Sequence, residues 1–195
     1  MLSVSIAAPE SSEHSANQSG NQQSKGKSVL LIGDSLIKAI EEQRLSRSQS
    51  VKKIGLGGAT AIKDQLIPEL QHNTYDSVII HAGTNDLNES QSGDVLESLT
   101  EMAEESIKSR SSIKVLFSGL ISQRDENANE KIMHINHTMK AICASRGWFF
   151  IENARIKVEH LKNRGIHLSG DGVRILASNF IKLENASESR TLFGC

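Results

Sequence analysis

Residues 29–35 read Val29-Leu30-Leu31-Ile32-Gly33-Asp34-Ser35, an apolar run that stops at a glycine and is followed by an acid and a serine. A continuous apolar run of this kind is typical of a strand buried on both faces, as in a parallel sheet. Helical apolar spacing follows Ser35, so we expect the strand to break at Gly33 and to place Ser35 in the first turn of a helix. Ligands bind at the carboxyl ends of such strands.

A serine at that position has the features of a catalytic nucleophile. Its hydroxyl faces the crevice at the edge of the sheet, and its backbone N–H is one of the unpaired donors of the helix start. The same residue can therefore attack a carbonyl carbon and help to hold the oxyanion that forms. The alternative is that Asp34 and Ser35 only cap the helix, because both residue types are favoured at helix N-caps.

The rest of the chain alternates short apolar runs with amphipathic helical patterns. The predicted strands cover 28–32, 51–54, 77–81, 114–117 and 148–151, and the predicted helices cover 36–45, 61–71, 93–110, 129–146 and 170–183. Apolar strands that are each followed by a helix indicate a parallel sheet with helices on both faces. We expect an α/β fold, a flavodoxin-like three-layer sandwich whose five-stranded parallel sheet has the order 2-1-3-4-5.

Both ends of the chain are polar and lack apolar periodicity. Residues 1–27 are rich in Ser, Gln, Asn, Gly and Glu, a composition typical of a disordered arm. Residues 184–195 are predicted to form a flexible tail. The folded domain is therefore expected at 28–183, which is long enough for one domain with a substantial core.

Bulk composition argues against several classes of protein. The net charge of -1 lacks the basic character typical of nucleic-acid-binding proteins, so we predict no direct contact with nucleic acid. No apolar run approaches the roughly 18 residues that span a membrane, and no basic amphipathic helix supports contact with a membrane surface. Two cysteines, Cys143 and Cys195, cannot form a disulfide framework. This favours an intracellular, cytoplasmic location.

Unusual residues follow three of the predicted strands and precede the last helix. The segments are Gly33-Asp34-Ser35, Gly55-Leu56-Gly57-Gly58-Ala59-Thr60, Ala82-Gly83-Thr84-Asn85-Asp86 and Gly165-Ile166-His167-Leu168-Ser169. Parallel topology brings such loops to one edge of the sheet. Together they offer a hydroxyl, glycine N–H groups, a side-chain amide and an imidazole, which are the parts of an acyl-transfer site.

With these four segments in this order, residues 28–183 resemble the SGNH (GDSL) hydrolase family, which is defined by short conserved sequence blocks. The family's first block matches Gly33-Asp34-Ser35, and its third block matches Gly83-Thr84-Asn85-Asp86. Its second-block glycine matches Gly58, in Gly-Gly-Ala-Thr where relatives often have Gly-Gly-Asp-Thr, and its fifth-block histidine matches His167. Within the family, the sequence resembles the platelet-activating-factor acetylhydrolases and the esterase domains of the first open reading frame of vertebrate non-LTR retrotransposons.

The resemblance implies a serine esterase that uses neither a metal nor another cofactor. Ser35 is then the nucleophile and His167 the general base. The backbone N–H groups of Ser35 and Gly58, with the side-chain amide of Asn85, form the oxyanion hole. The substrates implied are acetyl or other short-acyl esters, or lipid-like esters.

One position departs from the family pattern. The family has an Asp three residues before the catalytic histidine, and this chain has Arg164 there. Another acceptor then has to orient His167: a backbone carbonyl of the 160s loop, or Asn163, Glu159 or Asp171. Alternatively, the enzyme is slow, or the domain is catalytically degenerate and acts as a ligand- or partner-binding module. A further alternative is a module of a longer RNA- or membrane-associated polyprotein.

Other residues with reactive side chains are assigned structural roles. We expect Asp34 to fix its turn or to cap the helix, Asp86 to cap the loop after the third strand, and His81 to be a hydrogen-bonded core residue. His134 and His137 have a spacing compatible with metal ligation. No third ligand is evident, so a solvated helix face is the better interpretation.

Overall fold

A computed structural model describes residues 27–46, 49–87, 90–162 and 167–192. Five strands form one sheet in the order β2-β1-β3-β4-β5, and every neighbouring pair is parallel. The strands are β1 (Ser28–Gly33), β2 (Ser50–Gly55), β3 (Ser77–His81), β4 (Lys114–Ser118) and β5 (Phe149–Ile151). The predicted strand order is therefore confirmed. The predicted arm at 1–27 lies outside the described residues, apart from Lys27.

Helices cover both faces of the sheet, as the sequence predicts. They are α1 (Glu42–Leu45), α2 (Ala59–His72), α3 (Ser92–Ser109), α4 (Glu126–Arg146) and α5 (Gly170–Leu192). Successive side chains of a strand point to opposite faces. Leu30 and Ile32 of β1 therefore join a core with α2, α3 and α4, whereas Val29 and Leu31 join a second core with α1 and α5.

The stretch after β1 is not the single helix that the sequence predicts over 36–45. A 3₁₀ helix spans Ser35–Ala39, the backbone is extended at Ile40, and α1 follows. The ammonium group of Lys53 explains the interruption, because it donates to the carbonyls of Lys38 and Ile40. Those oxygens are acceptors that a continuous α-helix would have used itself.

The last helix is longer than predicted. The sequence predicts its end at 183, and the structure extends α5 to Leu192. The predicted tail at 184–195 therefore begins inside a helix. No glycine or proline interrupts the chain between 173 and 193, so the backbone can continue as a helix where apolar periodicity is lost. Neither α5 nor any other helix of the described residues has the length and apolar character needed to cross a membrane.

Two further helix ends differ from the prediction. The α4 helix begins before the predicted start, because the carboxylate of Asp125 accepts hydrogen bonds from the N–H groups of Asn127 and Ala128. The α2 helix passes through Pro68 and ends at His72, one residue after the predicted end at 71. The ring of His72 binds the carbonyl oxygen of Pro68 at 2.7 Å, which satisfies an acceptor of the last turn.

A buried carboxylate stabilises the end of α2. Both oxygens of Glu69 accept hydrogen bonds from Lys52 Nζ at 2.8 Å, and one also accepts from Tyr75 and Asn73. Burial opposes ionisation of Glu69, but these hydrogen bonds outweigh it and lower the pKa of the carboxyl group. Burial and the nearby carboxylate raise the pKa of Tyr75. This cluster joins α2, the edge strand β2 and the loop before β3.

Glu69→Gln is expected to lower the free energy of unfolding at pH 7 by about 1–3 kcal/mol, because it replaces a buried acceptor of charged hydrogen bonds. The pKa of Glu69 is lower in the folded state than its usual value of 4.5. This stabilisation is therefore present above the unfolded-state pKa and is lost as the pH falls through the folded-state pKa. Urea unfolding between pH 7 and pH 3 checks this. The stability difference between wild type and variant should narrow at acid pH, and a constant difference would contradict the assignment.

Candidate active site

The carboxyl end of β1 is paired with those of its two neighbours, the edge strand β2 and β3. Gly33, the last residue of β1, is in register with Gly55 of β2 and His81 of β3. Beyond the strands, the N–H of Leu56 donates to the carbonyl of Gly33 at 2.8 Å, and the N–H of Asp34 donates to the carbonyl of His81 at 2.9 Å. The loops that follow β1, β2 and β3 therefore leave the sheet side by side.

Ser35 begins the 3₁₀ helix that follows β1. Oδ1 of Asp34 accepts a hydrogen bond from the N–H of Leu36 at 3.0 Å, so the prediction that Asp34 caps this helix is confirmed. Asp34 is completely buried and Ser35 is half-buried. Leu36 and Ile37 are buried in the core shared with α5, which fixes the turn that carries Ser35.

The loop after β2 is bonded to the loop after β3. The side-chain amide of Asn85 donates to the carbonyl of Gly57 at 3.2 Å. Both carboxylate oxygens of Asp86 accept from the N–H of Ala59, at 3.1 and 3.0 Å. The expectation that Asp86 caps its own loop is therefore wrong: it caps the first turn of α2. A Cβ added to Gly58 would lie 2.6 Å from Oδ1 of Asp86, so a larger residue would have to displace this carboxylate.

His167 lies on the strand-like segment that leads into α5. Its carbonyl accepts a hydrogen bond from the N–H of Lys162 at 2.8 Å, and the next residue, Leu168, forms an antiparallel bridge with Leu161. Leu168 is buried in the same core as Leu36, the neighbour of Ser35. The residues that flank the predicted base and the predicted nucleophile therefore pack into one core, while the side chain of His167 is exposed.

The residues proposed to orient His167 are only partly described. Asn163 and Arg164 lie outside the described residues. Asp171 pairs with Arg174 within α5, and Glu159 is exposed. Within the described part of the chain, no hydrogen bond joins the ring of His167 to Ser35 or to a carboxylate.

A cluster of four buried polar side chains and a half-buried one lies beyond the carboxyl ends of β1, β3, β4 and β5 and reaches α5, and most of it was not predicted from the sequence. We call it the buried polar network; its members are Asp34, His81, Ser118, Asn153 and Asn179. Ser118 Oγ lies 2.8 Å from both Nδ1 of His81 and Nδ2 of Asn153, and Asn179 Nδ2 donates to Oδ1 of Asn153 at 3.0 Å. The prediction that His81 is a hydrogen-bonded core residue is confirmed. Ser118 ends β4 and Asn153 follows β5, so polarity at strand ends is the signal that could have revealed them.

Burial sets the protonation state of His81. Its side chain is fully buried, and desolvation lowers the pKa of the imidazole below its usual value, although the nearby carboxylate of Asp34 acts in the opposite direction. His81 is therefore neutral at pH 7. By contrast, His134 and His137 are exposed on α4, and the described residues contain no group of three or more potential metal ligands.

The sequence of the chain matches no family model and no curated protein. Solved structures do match. A GDSL-like lipase from Bacteroides thetaiotaomicron aligns with a TM-score of 0.72 and 15% identity over 83% of this chain and 89% of that chain. A carbohydrate acetylesterase from Sinorhizobium meliloti aligns with a TM-score of 0.70 and 17% identity over 82% of this chain and 99% of that chain. The chain has the fold of the GDSL hydrolases.

A third structure with the GDSL fold comes from Veillonella parvula and is a member of the lipolytic G-D-S-L family. It aligns with a TM-score of 0.67 and 15% identity over 80% of this chain and 97% of that chain. In the GDSL fold of this chain, the loops of three predicted site residues, Ser35, Gly58 and Asn85, are joined by direct hydrogen bonds between neighbouring loops. The loop of the fourth, His167, is joined to the turn of Ser35 through the shared core.

Proposed function

We propose that this protein is a serine hydrolase of carboxylic esters that acts through an acyl-enzyme and needs no cofactor. The observation that carries the proposal is the bonding of three loops at one sheet edge. The amide of Asn85 donates to the carbonyl of Gly57, the residue before Gly58, and the N–H of Leu56 in the same loop donates to the carbonyl of Gly33, two residues before Ser35. Three polarised N–H donors beside a hydroxyl form an oxyanion site. The shared fold with esterases and lipases supports the same reaction class.

The reaction follows from the roles of these groups. Ser35 Oγ attacks the ester carbonyl carbon while His167 takes the hydroxyl proton. The oxyanion receives hydrogen bonds from the N–H groups of Ser35 and Gly58 and from the amide of Asn85. When the intermediate collapses, His167 returns the proton to the departing alkoxide. A water molecule then releases the carboxylic acid from Ser35 by the same steps.

The proposal gives His167 an orienting acceptor other than the usual carboxylate, because Arg164 occupies the position of the family's Asp. Asp171 is engaged by Arg174, which favours a backbone carbonyl of the 160s loop or Asn163. The hydrogen bond between Ser35 and His167 forms in the substrate complex, since catalytic hydrogen bonds often tighten only then.

The proposed substrates are acetyl and other short-acyl esters. One of the structural relatives is a carbohydrate acetylesterase and another is a GDSL-like lipase, so both small and lipid-like esters belong in the first substrate screen. Esters of acetate and octanoate with the same leaving group separate the two classes. Higher kcat/KM for acetate supports the short-acyl assignment.

Asn85→Ala is expected to lower the kcat for an activated acetyl ester about 10²- to 10³-fold with little change in KM, because one oxyanion donor is removed. Initial rates with 4-nitrophenyl acetate measure the effect. Asn127→Ala is the matched control, since Asn127 is exposed at the start of α4. Equal losses in the two variants would remove Asn85 from the oxyanion hole.

The same assay separates catalysis from ligand binding. Turnover by the folded wild type that exceeds the background rate supports the esterase. Folded wild type without turnover on any ester of the screen would favour the degenerate binding module that Arg164 suggests.

A further inference from the structure

The buried polar network ends on two buried atoms without a partner in the described part of the chain, one on His81 and one on the carboxylate of Asp34. Nε2 of His81 and Oδ2 of Asp34 are buried, and neither has a hydrogen-bond partner among the described residues. Nε2 lies 3.9 Å from the other oxygen of the same carboxylate, Oδ1. That separation is about 1 Å longer than a hydrogen bond. A buried polar group left without a hydrogen bond is unfavourable, so a small rotation that joins the two groups is favourable.

The hydrogen bonds at the other end of the network fix the direction of every donor. Asn153 Nδ2 donates to the carbonyl of Gly119 at 2.6 Å, and a carbonyl only accepts, so the orientation of this amide is determined. The same Nδ2 donates to Ser118 Oγ. Asn179 Nδ2 donates to the carbonyl of Glu152 at 3.2 Å and to Oδ1 of Asn153, which determines the orientation of the second amide.

The hydroxyl proton of Ser118 then decides the tautomer of His81. Ser118 Oγ already accepts from Asn153, and Nδ1 of His81 is its other described partner. If Ser118 donates its proton to Nδ1, the neutral imidazole carries its own proton on Nε2, the ring nitrogen that lies 3.9 Å from Oδ1 of Asp34. In the opposite tautomer the ring proton is directed at Ser118, whose backbone carbonyl also interacts with the imidazole, and the unfavourable result is a lone pair on Nε2 beside the carboxylate of Asp34. The network therefore points a donor at Asp34.

We propose that His81 is a positioning residue whose neutral imidazole, protonated on Nε2, holds the Asp34 carboxylate that caps the turn of Ser35. This role rests on the proposed esterase function, in which Ser35 is the nucleophile. One oxygen of Asp34 accepts from the N–H of Leu36, so a second bond from His81 limits the positions that the carboxylate, and the turn it caps, can take. The far end of the network lies on α5, the helix that follows the segment of His167.

The tautomer is measured first, because it is independent of catalysis. Two-bond ¹H–¹⁵N correlation spectra of the full chain with ¹⁵N-labelled histidine report the protonation of both ring nitrogens. The His81 signals are assigned by their loss in His81→Gln. We expect a neutral ring at pH 7 with the proton on Nε2. A proton on Nδ1, or a doubly protonated ring, would overturn the proposal whether or not the protein hydrolyses esters.

Two substitutions of His81 distinguish the contribution of Nε2 to catalysis from that of Nδ1. The amide of His81→Gln reaches the position of Nε2 and retains a donor toward Asp34, whereas the shorter side chain of His81→Asn reaches only the position of Nδ1. We expect His81→Asn to lower kcat roughly 100-fold with KM nearly unchanged, as expected for a misplaced nucleophile. His81→Gln should recover most of that loss. Equal kcat values for the two variants, or a higher kcat for His81→Asn, would contradict the positioning role.

Controls distinguish this proposal from a purely structural role and from failure of the esterase. His134→Gln replaces an exposed histidine of α4 and should leave kcat unchanged. Thermal unfolding of each His81 variant reports stability, and a purely structural role would lower stability equally in both variants without separating their kcat values. Wild type with the Nε2 tautomer but no ester turnover would leave the support of the Asp34 cap standing and refute the esterase.

Discussion

Ser35→Ala is expected to lower the kcat for an activated acetyl ester roughly 10⁴- to 10⁶-fold, the loss typical of a serine hydrolase without its nucleophile. The reason is chemical: no other atom of the turn can form the acyl-enzyme, while the oxyanion donors and the binding surface remain. The fold should not change, because Asp34 still caps the turn and Leu36 and Ile37 still anchor it in the core. Steady-state rates and burst-phase kinetics with 4-nitrophenyl acetate measure the loss.

The control for this experiment is a serine outside the site. Ser111 is exposed in the turn before β4, and Ser111→Ala should retain wild-type kcat. Activity that survives in Ser35→Ala, after exclusion of a contaminating esterase by a second purification, would remove Ser35 as the nucleophile. The fold would then stand without the proposed mechanism.

His167→Gln is expected to lower kcat about 10³-fold or more, because glutamine cannot take the proton of the Ser35 hydroxyl. The side chain of His167 is exposed, so its replacement should leave the free energy of unfolding nearly unchanged. A large loss of kcat at unchanged stability is the signature of a catalytic group. Comparison of kcat with urea unfolding of the same samples tests this.

His137→Gln serves as the matched control, since His137 is also exposed but lies on α4. If the two histidine variants lose activity to the same small extent, His167 is not the base. Another proton acceptor would then have to reach Ser35, and the functional assignment of the loop before α5 would be wrong.

The sheet could be predicted from the sequence because its determinants are local. The central strands β1 and β3 are continuous apolar runs, and each is followed by a helical pattern. Right-handed crossovers leave few arrangements for such a sequence. The cap of the turn that carries Ser35 could also be predicted, because the side chain of Asp34 accepts a hydrogen bond from the N–H of Leu36, only two residues further along the chain.

The buried polar network could not be predicted because its contacts join distant parts of the sequence. Ser118 meets His81 from 37 residues away, and Asn153 meets Ser118 from 35 residues away. None of these residues stands in a local sequence pattern that would mark it as a member of a network. The carboxyl ends of β1, β3, β4 and β5 come together only through the parallel register of these strands, so the contacts of the network depend on the assembled sheet.

The role of Asp86 was mispredicted for the same reason. In sequence, an acid after Asn85 suggests a cap within its own loop, whereas the first turn of α2 presents the N–H of Ala59 from 27 residues away. The interruption at Ile40 is another case, because the cation that binds its carbonyl comes from Lys53 on the neighbouring strand. Local pattern determines which elements form, and contacts between elements determine where they end.

The most direct test of an activated Ser35 is covalent labelling of the folded wild-type chain by a fluorophosphonate, which reacts with serine hydroxyls that a base activates. Intact mass spectrometry followed by peptide mapping should show a single adduct, located on Ser35 and absent from His167→Gln. No adduct on the folded protein, or an adduct confined to another residue, would contradict the account.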